Sequence, residues 1–206
     1  AGCQNVVMGL QTMRFNQTGD FNTAIGTSAL CTNTTADSNT AIGFKALLAN
    51  TTGAENTAVG TCAGDSNTTG SGNVFIGKEA GQANTTASGN VAIGQNTFDA
   101  NTTGASNIAV GSAALGANRK ALVINTTGDK NTAFGHTALG GLTTGNENTG
   151  VGFDVMNSTV TGTGNTAVGH GNMASLTSGA TNTSIGNSAT PALTTGSNNT
   201  TAGDAS

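Results

Sequence analysis

The chain has 206 residues, of which 32 are Gly, one is Pro and none is Trp or Tyr; only 8% are charged, and the net charge is −4 at pH 7. There is no basic face for nucleic acid and no apolar run near the ~20 residues of a membrane-spanning helix, so neither nucleic acid binding nor membrane insertion is expected. Disorder usually brings high net charge or many Pro, Lys and Glu; here charge is scarce and small residues recur at fixed columns, which points to order by repetition.

The repeat is Asn-x-x-h-Gly, where h is apolar in every copy, with Met8, Phe134 and Ala202 as variants of the usual Ile or Val. It begins at Asn5, Asn22, Asn39, Asn56, Asn73, Asn90, Asn107, Asn131, Asn148, Asn165, Asn182 and Asn199. Every spacing is 17 residues except Asn107 to Asn131, which is 24 and contains an insertion at 118–124. No linker or compositional break divides residues 1–206, so a single repetitive domain is expected.

Each column carries a physical expectation, with Asn as column 1. Column 2 is Thr, Val or Ile, and column 4 is mostly Ile or Val. Residues two apart share one face of a strand, and β-branched side chains suit strands, so Thr40 and Ile42 are expected to line the interior. Ala41, in column 3, then faces outward and leaves room for a neighbour. Gly at column 5 (Gly26, Gly43, Gly60, Gly94, Gly169) and Gly53 at column 15 are expected to turn the chain. Columns 8 and 9, usually Ala followed by Leu, Met or Phe, predict a second short strand. The Asn columns, represented by Asn22, Asn39, Asn50, Asn56, Asn90 and Asn165, are expected to tie coil to coil, because a stacked amide both donates and accepts.

A 3.6-residue stripe is absent, so the prediction is an all-β solenoid (a β-roll) of about twelve coils, forming a rod of roughly 55 Å at ~4.8 Å per coil. Column 12 is Asn in the first seven repeats, to Asn125, and then becomes Leu142, Thr159, Leu176 and Leu193. A different coil cross-section is predicted there. Few large apolar residues per coil make the core thin, which favours association with further copies. The chain begins and ends in mid-repeat without a polar cap, as expected of a piece of a longer shaft or of copies stacking end to end.

The run Asn-Thr-Ala-Ile-Gly-x-x-Ala-Leu-x-x-Asn-Thr-Thr, carried by residues 22–35 and 39–52, resembles the repeats of tail-fibre-like bacterial and phage surface proteins. Its core, Ala-Ile-Gly-x-x-Ala, is similar to the head repeats of trimeric autotransporter adhesins. That resemblance implies a left-handed β-roll, assembly as trimers, and a place outside the cell, at a cell surface or on a virion. The function expected is a structural or adhesive segment of an extracellular fibre, whose partners are copies of itself and a cell-surface receptor or glycan. Ice binding through Thr columns 2, 13 and 14 is the alternative, although adjacent columns 13 and 14 point to opposite sides.

Little in the sequence suggests chemistry. The insertion, with Arg119, Lys120, Leu122, Val123 and Ile124, reads as a surface loop or as a lateral contact. His136 and His170 share column 6 two coils apart, roughly 9.5 Å, too far for one metal within the chain. Asp20, Asp37 and Asp129 sit near turns where calcium is conceivable, but the dense Gly-Gly-x-Gly-x-Asp pattern is absent. No cofactor and no catalytic set is expected. Cys3, Cys31 and Cys62 lie on coils too far apart for a disulfide. Asn-Thr-Thr runs such as Asn33, Asn50 and Asn67 are formal glycosylation acceptors or, more simply, turns.

Overall fold

A computed structural model describes residues 2–112, 114, 126–158 and 160–204. The chain is a parallel β-solenoid. Its strands are β1 (Val6–Met8), β2 (Thr23–Ile25), β3 (Thr40–Ile42), β4 (Thr57–Val59), β5 (Val74–Ile76), β6 (Val91–Ile93), β7 (Ile108–Val110), β8 (Thr132–Phe134), β9 (Thr149–Phe153), β10 (Thr166–His170), β11 (Thr183–Asn187) and β12 (Thr200–Ala202). They form one sheet in chain order, each parallel to the next. Like pairs with like: Thr40 lies beside Thr57, Ala41 beside Ala58 and Ile42 beside Val59. The register survives the insertion, with Ile108, Ala109 and Val110 opposite Thr132, Ala133 and Phe134.

The sheet is inverted relative to the sequence reading. Ala24, Ala41, Ala58, Ala92, Ala109, Ala133 and Ala167, all in column 3, are completely buried, whereas columns 2 and 4 face out. Ile42 is 37% exposed, Phe134 57% and Ile185 50%. A two-residue period says which residues share a face, but not which face is inside. The rest of the coil decides that. Column 8 alanines and column 9 side chains such as Leu30, Leu47, Phe98 and Leu139 fold beneath column 3 and close a narrow core.

The expected second strand is also absent among the described residues; the only further bridge joins Leu142 and Val160. Columns 7 and 9 instead adopt left-handed backbone, as in Lys45 (φ 58°) and Leu47 (φ 49°), and so does column 17, as in Glu55 (φ 61°). That conformation costs an L-residue about 1–2 kcal/mol. It is offset by coil-to-coil bonds: Lys45 N–H donates to Thr27 O (3.0 Å), Leu47 N–H to Ala63 O (3.0 Å) and Glu55 N–H to Asp37 O (3.1 Å). The sequence carries a signature of this geometry. Columns 7, 9 and 17 hold almost no β-branched residues, because branching at Cβ worsens the left-handed clash.

Gly43 at column 5 has φ 138°, and a Cβ there would lie 2.5 Å from Gly60 O, so this column requires glycine on both counts. Column 15 is different. Gly53 has no positive φ, and Ala36 and Ala87 occupy the same column elsewhere, so it is a close approach rather than a turn residue.

Core volume is shared between columns. Phe75 replaces the usual Ala in column 3 and is fully buried. Room for it comes from Gly64 and Gly81 in column 9, where a Cβ would sit 2.5 and 2.3 Å from its ring. At the C-terminal end the interior turns polar. Asn172 Oδ1 accepts from Ser184 Oγ (2.8 Å) and from Thr190 N–H (3.2 Å), and Thr201 Oγ1 donates to Ser184 Oγ (2.8 Å).

Candidate interaction surface

The Asn columns form the internal frame. At column 1 each backbone N–H donates to the side-chain oxygen of the Asn one coil earlier: Asn39 to Asn22 (2.9 Å), Asn56 to Asn39 (2.9 Å) and Asn165 to Asn148 (3.0 Å). The chain of bonds crosses the insertion from Asn131 to Asn107 at 2.9 Å. Most of these amides also cap their own coil, as when Asn56 Nδ2 donates to Gly70 O (2.8 Å) and Asn90 Nδ2 to Gly104 O (3.1 Å). Column 12 adds a second ladder, in which Asn50 Nδ2 reaches Asn33 Oδ1 (3.2 Å) and Gly53 O (2.9 Å). Asn33, Asn50 and Asn67 are fully buried, so in the folded chain their amides offer no acceptor site for a glycan.

Other polar columns are consumed in the same way. Column 13 hydroxyls donate to the next coil's carbonyl, Thr51 Oγ1 to Thr68 O at 3.0 Å and Thr68 Oγ1 to Thr85 O at 3.0 Å. Asp20, Asp37 and Asp129 accept backbone N–H groups from the preceding coil, as Asp37 does from Asp20 (2.7 Å) and Asp129 from Ala105 (2.7 Å). Among the described residues no group of three His, Cys, Asp or Glu converges as a metal site would require. The three cysteines form no disulfide. Burial pushes the Cys62 thiol up, reinforced by the nearby Asp65 carboxylate. Burial also raises the Asp65 carboxyl, against hydrogen bonds from Gln82, Ser66 and Cys62 that pull it down.

The surface left over is the outer face of the sheet. Columns 2 and 4 contribute Thr, Val, Ile, Met, Phe and one Ala, with no charged residue. The hydroxyls of Thr23, Thr40, Thr57, Thr132, Thr149, Thr166 and Thr183 have no hydrogen-bond partner among the described residues. Column 6 borders this face with Phe44, over whose ring the Lys45 ammonium lies at 5.2 Å. Farther along, His136, Phe153 and His170 stack nearly parallel, with successive centroids 5.3 Å apart. The sequence pairs the two histidines by column; the ring between them becomes evident only in the stack. The insertion residues Arg119, Lys120, Leu122, Val123 and Ile124 lie outside the described residues.

The fold thus defines a β-solenoid repeat protein with an uncharged outward sheet face. No family model, no curated protein and no solved structure matches this chain.

Proposed function

We propose that this chain is a structural, adhesive segment of an extracellular fibre, at a cell surface or on a virion, and that it assembles with copies of itself through the outward sheet face. The observation that carries this reading is the uncharged face formed by columns 2 and 4 along all twelve strands. At ~4.8 Å per strand the face is about 55 Å long, and three outward columns make it roughly 15–20 Å wide, on the order of 900 Å² per copy. A standard interface takes about 800 Å² from each partner, so the area suffices for a stable side-by-side contact. End-to-end stacking on the edges of β1 and β12 is the second mode of assembly. The resemblance of the repeat to tail-fibre-like proteins agrees with both. On this reading the protein works mechanically, without a cofactor or catalysis, and repeated copies supply avidity toward a receptor or glycan.

The test is sedimentation of the full chain and of an Ile42→Lys/Ile93→Lys variant. Both side chains point outward, so the variant should keep its β-sheet circular dichroism and lose lateral association. A wild-type chain that stays monomeric at high concentration, or a variant that associates as before, would sink the proposal.

Ice binding is the second reading, and one observation favours it. The column 2 hydroxyls stand in a ranked, unbonded row beside the methyl-rich column 4, a surface able to order water. Columns 13 and 14 lend it less support: column 13 hydroxyls are already bonded within the solenoid, and column 14 is an exposed single row. A thermal-hysteresis measurement on the monomeric variant and the wild type separates the two readings.

A further inference from the structure

We propose that the His136–Phe153–His170 column makes the lateral association of this chain reversible by acid. This deepens the self-assembly reading above and rests on it: the occupant of the outward face is a second copy, for which the face has the area and whose columns 2 and 4 carry no charge.

The chain has only two histidines, and both lie on this face, at column 6 beside the apolar residues Phe134, Val151 and Val168. In the single chain both imidazoles are exposed, so a proton on either is hydrated. A second copy laid over columns 2, 4 and 6 removes that water. Burying a protonated imidazole against methyl groups is unfavourable, whereas the neutral ring stacks on Phe153 without cost. By linkage, the separated copies bind protons more readily than the assembled ones, so acid drives separation. Association is therefore strongest while the imidazoles are neutral and weakens as acid charges them.

The charged groups around the column are few. Asp154, at the adjoining corner, takes the Thr137 hydroxyl, and its backbone N–H donates to His136 O (3.2 Å). His170 Nδ1 lies 3.1 Å from Asn187 Oδ1, and Asp204 follows one coil later, accepting the Asn187 N–H at 3.1 Å. Lys78 is the remaining charge in column 6, separated from His136 by Gln95 and Ser112. No carboxylate pairs directly with either imidazole.

The experiment compares the full chain with a His136→Asn/His170→Asn variant by sedimentation at about pH 7.5 and about pH 5. Asn already occupies this column at Asn187, so the variant is expected to fold. The wild-type association constant should fall about tenfold or more on acidification, while the variant should change less than about twofold. Equal pH dependence in both proteins, or undiminished wild-type association at acid pH, overturns the histidine column but leaves the interface standing. A wild-type chain that is monomeric at neutral pH overturns the interface itself, and this inference with it.

Discussion

The coils before the insertion and those after it build the same sheet with different interiors. In the first group columns 1 and 12 both carry buried Asn, and the column 15 carbonyl accepts from both. Ala36 O takes Asn22 Nδ2 at 2.9 Å and Asn33 Nδ2 at 3.0 Å. In the second group Leu142, Leu176 and Leu193 occupy column 12, yet column 1 still reaches that carbonyl, as Asn165 Nδ2 does Gly179 O at 2.8 Å. The apolar exchange therefore leaves no carbonyl orphaned. Column 15 is glycine throughout the second group, where a Cβ on Gly179 would meet Gly196 O at 2.2 Å and a Leu176 methyl at 2.9 Å, and one on Gly196 a Leu193 methyl at 2.8 Å. The strands change too: β9, β10 and β11 run five residues, through column 6, where β2 to β8 run three. One ladder is indispensable to the coil and the other is exchangeable for packing.

That contrast can be broken most sharply at column 1. Asn73→Ala in the first group removes the acceptor for Asn90 N–H and the donor to Ala87 O, both buried. Asn165→Ala does the same to Asn182 N–H and Gly179 O. Asn165→Ala should cost about 3 kcal/mol, from two buried polar groups left unpaired, and Asn73→Ala somewhat less, because Ala87 O still accepts from Asn84 Nδ2 at 3.0 Å. Urea denaturation measures it, and a loss below about 1 kcal/mol in either group would show that the column 1 ladder is not the common frame.

A smaller effect is expected at column 12, from opposite substitutions in the two groups. Asn67→Leu strands Asn50 Oδ1 and one amide hydrogen of Asn84, at about 2 kcal/mol. Leu176→Asn, placed between Thr159 and Leu193 in its column, has no amide to ladder with and should cost a similar ~2 kcal/mol. If either substitution is neutral by denaturation, column 12 does not distinguish the two regions.

The smallest effect belongs to Asp65, which lies only in the first group. Its folded carboxyl titrates above the ordinary value because burial disfavours the charge. A raised folded value means that its contribution is fully present below the unfolded titration and is lost as pH rises through the folded one. Asp65→Asn should therefore flatten the fall in melting temperature as pH rises above the ordinary aspartate value of about 4, relative to wild type. An unchanged profile would remove Asp65 from the account.

Much of this was legible in the residues. Twelve Asn-x-x-h-Gly starts correspond to twelve strands, and a strict 17-residue spacing leads to in-register parallel pairing. The amide columns could be named because Asn recurs at column 1 in all twelve repeats and at column 12 through the first seven. Columns 8 and 9 read as a strand in the sequence but form a turn, and the scarcity of Val, Ile and Thr at columns 7 and 9 marks its left-handed backbone. The candidate surface was placed on the wrong side. Ala41 is interior and Ile42 exterior, against the usual expectation that the larger apolar residue is inside.

The sequence by itself determined the repeat, the register, and which residues travel together on a face, because each of these follows from period and from the backbone limits of Gly, Asn and β-branched residues. Only the tertiary structure decided which face is buried. The left-handed corners bring Leu47 and Ala46 beneath Ala41 and leave room there for a methyl group alone, so Thr40 and Ile42 are turned outward to form the surface on which assembly is proposed.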